Sequence, residues 1–226
     1  MTELLDAIEI ETGPQPAASV IWLHGLGADG SDFVPMVDAL DLPAGPLPAT
    51  PIRFVFPHAP MQPVTINQGY VMRAWYDVLS TDFDRRADER GVRASQQLVE
   101  ALLAREKARG VAAGRIVLAG FSQGGAIALQ TGLRHAERLA GIMALSCYVP
   151  LGASLPAERS AANQGVPIFM AHGTHDPVIP ARLARESRDL LGQLGYAVAW
   201  HEYPMEHSVS PEEVEAIGAW LRRVLA

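Results

Sequence analysis

Short apolar runs alternate along the chain with longer segments whose apolar residues recur at helical spacing. The runs lie at 19–23, 52–56, 115–119, 141–146, 167–171 and 197–203. Several are apolar at consecutive positions, as strands covered on both faces are. The clearest helical pattern spans 87–109, with Val92, Ser95, Leu98, Val99, Leu102 and Leu103 on one face and Gly110 as its stop. Further helices are expected at 124–134, 181–194 and 211–225. The last opens with Ser210-Pro211-Glu212-Glu213: a cap, a proline at the first helical position, and acids in the first turn. Strand and helix in alternation predict an α/β fold, with a mostly parallel central sheet and helices on both faces.

No linker or internal repeat divides the 226 residues, so the reading is one domain over 1–226. Residues 57–86 fit neither period. Pro57, Pro60, Pro63 and Gly69 punctuate a stretch that also holds Met61, Val64, Ile66, Tyr70, Met72, Trp75 and Tyr76. A loop this apolar covers something apolar. Leu26, Val64, Ile66, Met72 and Trp75 are therefore expected to line a substrate pocket. Packing onto the core, or into a dimer interface, is the alternative.

Composition narrows the classes. A net charge of −7 disfavours nucleic acid and anionic membrane surfaces as partners. The lone Cys147 excludes an intrachain disulfide and fits a reducing compartment. The first residues carry acids and lack a basic n-region, which argues against a signal peptide and for a cytoplasmic protein. Two long uncharged stretches, 116–133 and 139–157, approach the length of a membrane span. Gly120, Ser122, Gln123, Pro150 and Pro156 interrupt them, so strand–turn–helix is expected instead of a span.

The strongest chemical signal is Gly120-Phe121-Ser122-Gln123-Gly124, which follows an apolar run and opens a helix. Gly-x-Ser-x-Gly in that context is a strained turn that raises the serine above the sheet, and neighbours two residues away must lack side chains. A serine nucleophile needs a base, and the base an orienting acid. Asp176 follows the run 167–171 and His207 follows 197–203, in the order Ser, Asp, His. Asp189, in a helix, and His201, in a strand, are weaker competitors. The amides of Leu26 and Gln123 are the expected oxyanion donors, since Gly25 and Gly27 let the loop after 19–23 approach a substrate oxygen.

Three other readings are weaker. Gly25-Leu-Gly-Ala-Asp-Gly30 is formally a nucleotide-binding fingerprint, but Pro35 interrupts the helix it needs, and no acid follows for a ribose. His172, His175 and Asp176 lack metal-ligand spacing. Cys147 has no glycine elbow and reads as a buried structural thiol. No cofactor and no metal are expected.

His24-Gly-Leu-Gly-Ala-Asp-Gly, Thr65-Ile-Asn67, Trp75-Tyr-Asp77, Gly120-Phe-Ser-Gln-Gly-Gly, His172-Gly-Thr-His-Asp-Pro-Val and Met205-Glu-His207 together resemble the phospholipase/carboxylesterase family of α/β-hydrolases, from about Ser19 to Trp220. The likeness is nearest to small bacterial carboxylesterases, which are related to acyl-protein thioesterases. It implies an α/β-hydrolase fold with no large cap and a Ser122–Asp176–His207 triad. It also implies an irregular flap at about 57–86 beside the acyl site. The expected activity is serine carboxylesterase action on short to medium acyl esters, small or lipid-like, through an acyl-enzyme at Ser122. Acyl-protein thioesterase or lysophospholipase action with the same triad is the alternative. Family members are often homodimers, which makes a homodimer an expectation here. Integral membrane association is not expected.

Overall fold

The structure is a computed structural model and describes residues 4–42, 50–80 and 88–226. Its strands are β1 (Ala7–Glu11), β2 (Ala18–Leu23), β3 (Ile52–Pro57), β4 (Met61–Val64), β5 (Tyr70–Arg73), β6 (Ile116–Phe121), β7 (Gly141–Leu145), β8 (Ile168–Gly173) and β9 (Val198–Tyr203). Its helices are α1 (Met36–Ala39), α2 (Glu89–Ala108), α3 (Gln123–Gly132), α4 (Leu155–Glu158), α5 (Ala181–Gln193) and α6 (Pro211–Val224). The central sheet runs β1-β3-β2-β6-β7-β8-β9 and is parallel throughout except for β1.

The apolar runs are strands because both their faces are buried. Alternate residues divide between two cores. Ile21 and Leu23 of β2, Ile116 and Leu118 of β6, and Ile168 and Met170 of β8 face the side that α2, α3 and α5 cover. Val20 and Trp22, Val117 and Ala119, and Phe169 and Ala171 face the side of α1 and α6. Burying a side chain of this size contributes about 1.5–3 kcal/mol, so a one-residue slip in register would exchange whole layers. Ser210 caps α6 as the sequence announces, and Asp88, which the sequence reading does not name, caps α2. Asp88 accepts from the Gly91 amide at 2.9 Å, and Ser210 from that of Glu213 at 3.3 Å.

Several elements differ from the sequence expectation. β1 was not foreseen. Its Ile8 and Ile10 pack on the second core, while Glu9 and Glu11 turn outward to arginines. Arg53 bridges Glu11 and the fully buried Glu106, at 2.9 Å each, and so ties the end of α2 to the sheet edge. The flap is not wholly irregular. β4 and β5 form a hairpin in register Met61↔Arg73 to Val64↔Tyr70, closed through the one-turn 3₁₀ segment Thr65–Asn67 and left-handed Gln68 and Gly69. Pro63 is tolerated because β4 pairs with β5 alone. Residues 81–86 of the expected flap, and Ala87 at the expected helix start, lie outside the described residues. No helix among the described residues is long and apolar enough to cross a membrane. The stretch 116–133 is β6 and α3.

Glu213, on α6, has a fully buried side chain whose carboxyl oxygens accept no hydrogen bond of ordinary geometry among the described residues, and only the Ser210 amide acts on them to favour the charged form. Burial pushes its pKa up to about 8 from an ordinary 4.5. Between pH 4.5 and 8 the unfolded chain gives up this proton and the folded chain keeps it, so stability falls as pH rises through that window. Glu213→Gln is expected to match the wild type near pH 5 and to exceed it by a few kcal/mol at pH 8. Urea unfolding at the two pH values measures this; equal stability at pH 8 would show that the carboxyl is not held neutral.

Candidate active site

The site forms where β2 and β6 lie side by side. The chain leaves β2 over the α1 face and leaves β6 over the α3 face, so a crevice opens between their carboxyl ends. Ser122 stands at the tip of β6 with φ 55° and ψ −122°. For a residue with a side chain this conformation costs on the order of 1–3 kcal/mol. It is held by the Ser122 amide bonding the Leu145 carbonyl at 2.8 Å, and by the absence of side chains beside it. A Cβ on Gly120 would stand 2.3 Å from the Gly124 carbonyl carbon, and one on Gly124 would stand 2.3 Å from the Leu23 carbonyl oxygen. Helix α3 begins at Gln123, which aims its positive end at the serine.

Asp176 and His207 come from the loops after β8 and β9. The Ser122 hydroxyl lies 2.9 Å from His207 Nε2, and His207 Nδ1 lies 2.7 Å from Asp176 Oδ2. The acid is buried and its other oxygen accepts from the amides of Val178 and Ile179 at 2.8 and 2.9 Å. A carboxylate at Nδ1 fixes the imidazole proton there and leaves Nε2 free to accept from the hydroxyl. The structure therefore brings together the three residues expected from sequence. It keeps the competitors apart: Asp189 pairs with Arg188, and His201 stacks on Phe169.

The amides of Leu26 and Gln123 take part in no hydrogen bond among the described residues. The Leu26 loop is pinned on both flanks. Gly27, at φ 77°, donates its amide to the Arg73 carbonyl of β5 at 2.9 Å. On the other flank, the Gly25 carbonyl accepts from His24 Nδ1 at 2.7 Å. His24 Nε2 in turn accepts from the Ala59 amide at 3.0 Å, which forces the Nδ1–H tautomer. Burial lowers the pKa of His24, so the clamp is neutral. Burial likewise lowers the pKa of His172, whose Nε2 donates to the Ile179 carbonyl at 2.8 Å behind the acid loop.

Sequence reasoning missed the clamp by His24 and a latch made by the Gln123 side chain. That amide accepts from Trp75 N at 2.7 Å and donates to the Tyr76 carbonyl at 2.7 Å, tying the nucleophile turn to the flap. No periodicity signals such bonds; only a polar residue placed where two buried segments meet hints at them. Of the expected pocket residues, Leu26 and Met72 are half-buried and Ile66 is exposed. Val64 and Trp75 are buried, and Trp75 belongs to the first core, with its indole donating to the His24 carbonyl at 2.9 Å. A cavity of about 360 Å³ opens beside the latch, lined among others by Tyr76, Val78, Tyr148, Leu183 and Leu190. Cys147 is buried against Gly125, and burial pushes its thiol well up. No group of three or more His, Cys, Asp or Glu among the described residues forms a metal cradle.

The phospholipase/carboxylesterase family model matches residues 5–225. Acyl-protein thioesterase 1 of Gibberella zeae is 37% identical, covering 93% of this chain and 92% of its own length. Acyl-protein thioesterase 1 of Neurospora crassa is 39% identical over 90% of this chain and 85% of its own. The crystal structure of Arabidopsis thaliana SOBER1 superposes with a TM-score of 0.85 at 30% identity, over 92% of this chain and 99% of that one.

The zero clearance at the elbow is testable. Gly124→Ala forces the Leu23 strand end away and is expected to cost about 3 kcal/mol or more, with loss of turnover. Gly192→Ala, where an added Cβ meets nothing within 4 Å, is expected to be neutral or to stabilise by about 0.5–1 kcal/mol. Melting temperatures of the two variants decide; equal effects would show that the elbow has room to spare.

Proposed function

The chain belongs to the phospholipase/carboxylesterase family of α/β-hydrolases, and from that premise we propose that it hydrolyses carboxylic esters through an acyl-enzyme at Ser122. The observation that carries this reading is the continuous line from the Ser122 hydroxyl through His207 to Asp176, at 2.9 and 2.7 Å, on the elbow at the head of α3. His207 Nε2 takes the hydroxyl proton as Ser122 Oγ attacks the ester carbonyl carbon. The free amides of Leu26 and Gln123 stabilise the oxyanion, and losing one such donor costs about 100-fold or more in rate. Collapse expels the alcohol, which receives its proton from His207. Water, activated by the same imidazole, then releases the acid. Asp176 holds the tautomer and stabilises the imidazolium.

The cavity behind the latch is the proposed acyl site. Its volume of about 360 Å³ is at the lower end of ligand pockets, which suits short to medium chains. None of Leu26, Val64, Ile66, Met72 and Trp75 lines this cavity; Val64 and Trp75 are buried in the core instead. A second reading is favoured by the relatives, which are named acyl-protein thioesterase 1. A thioester carbonyl meets the same nucleophile, base and amides.

Two measurements test the proposal. Ser122→Ala is expected to lower kcat by on the order of 10⁴ or more while the fold persists. Retention of more than about 10% of activity by a folded variant would overturn the assignment. Aryl esters of increasing acyl length, assayed beside a matched thioester and a lysophospholipid, separate the readings. The ester reading predicts a maximum at short to medium length. A thioester kcat/KM tenfold above its matched ester would move the assignment to thioester hydrolysis.

A further inference from the structure

The ester reading divides space around Ser122. His207 Nε2 must reach the departing oxygen or sulfur to protonate it, so the leaving group lies on the imidazole side and the acyl chain on the other. The cavities divide along the same line. The one lined by Tyr76 and Tyr148 has no wall from His207. A second cavity, of about 430 Å³, does: His207 lines it together with Phe33, Met36, Phe121, Val214 and Asp32. The Phe121 ring lies 4.8 Å from the His207 ring and 5.5 Å from that of Phe33, so an aromatic floor runs outward from the base.

This floor carries an unbalanced charge. Asp32 stands exposed at the rim of the groove, where the little desolvation it has and the neighbouring Asp29 carboxylate both raise its pKa. Asp29 is itself fixed, accepting from the Ser31 amide and hydroxyl at 2.7 and 2.6 Å. No Lys or Arg among the described residues forms an ion pair with Asp29 or Asp32. A cation in the groove would relieve the repulsion between the two carboxylates. It would also lie against the half-buried Phe121 ring, which attracts it. The net charge of −7 contributes a field of the same sign.

We propose that this groove receives the leaving group, and that Asp32 selects esters or thioesters whose alcohol or thiol part carries an alkylammonium group. The inference rests on the hydrolase reading above. It assigns a specificity to the departing half of the substrate, which the comparisons leave open.

The test compares two esters of one acyl chain. One is the choline ester; the other is the 3,3-dimethylbutyl ester, of the same shape but uncharged. The wild type is expected to favour the choline ester by about five- to tenfold in kcat/KM at low salt, with the preference shrinking as salt rises. In Asp32→Asn the ratio is expected to fall to about two or below, and in Asp32→Lys to invert. Because the ratio is read within each protein, partial misfolding of a variant does not affect it. Turnover of both esters by the wild type without preference would overturn the inference alone, as would a preference that survives in both variants. Turnover of neither ester would overturn the hydrolase reading, and the inference with it.

Discussion

The contact on which the rest of the site depends is the one between the turn after β6 and the end of β2. Gly124 lies so close to the Leu23 and His24 carbonyls that an added Cβ would be 2.3 and 2.6 Å from them. That closeness fixes where α3 starts, and therefore where its positive end points. It also brings Ser122 beside the Leu26 loop. The sheet order makes the contact unavoidable, since β2 and β6 are hydrogen-bonded neighbours from Ser19↔Ile116 to Leu23↔Gly120. The strain stored in Ser122 is offset by the two apolar cores on which both strands rest.

Around this contact the protein uses neutral buried groups as fasteners. His24 holds the oxyanion loop, His172 holds the acid loop, and the Gln123 amide holds the flap. Each is shut off from water, so each bond is stronger than its equivalent at the surface, and each group left unpaired would be costly. Burial lowers the pKa of both histidines and keeps charge out of the walls.

The fold was legible because its strands are apolar on both faces, a pattern few other arrangements tolerate. β6 and its turn were the plainest case: strand, Gly-x-Ser-x-Gly, then helix. Asp176 and His207 were found for a topological reason, since loops after parallel strands share one end of the sheet. β1 escaped because Ile8 and Ile10 alternate with acids in a run of only five residues, and the acids read as a charged terminus. The β4–β5 hairpin escaped because Pro63 interrupts its period. Trp75 looked like a pocket residue because side-chain type and loop context say nothing about direction. The fold turns it inward, where its indole finds the His24 carbonyl. The Ala59 amide that fixes the His24 ring and the partners of the Gln123 side chain lie thirty or more residues away, and local pattern carries no record of them.

The central claim is that Ser122 is the activated nucleophile of this site. The most direct measurement is labelling of the native protein with a serine-directed phosphonate, followed by intact-mass determination and peptide mapping. The account predicts one phosphonyl group per chain, carried on the peptide containing Gly120-Phe121-Ser122-Gln123-Gly124, with labelling slowed by orders of magnitude in His207→Ala. A folded wild-type protein that stays unlabelled, or that carries the group on another residue, would contradict it.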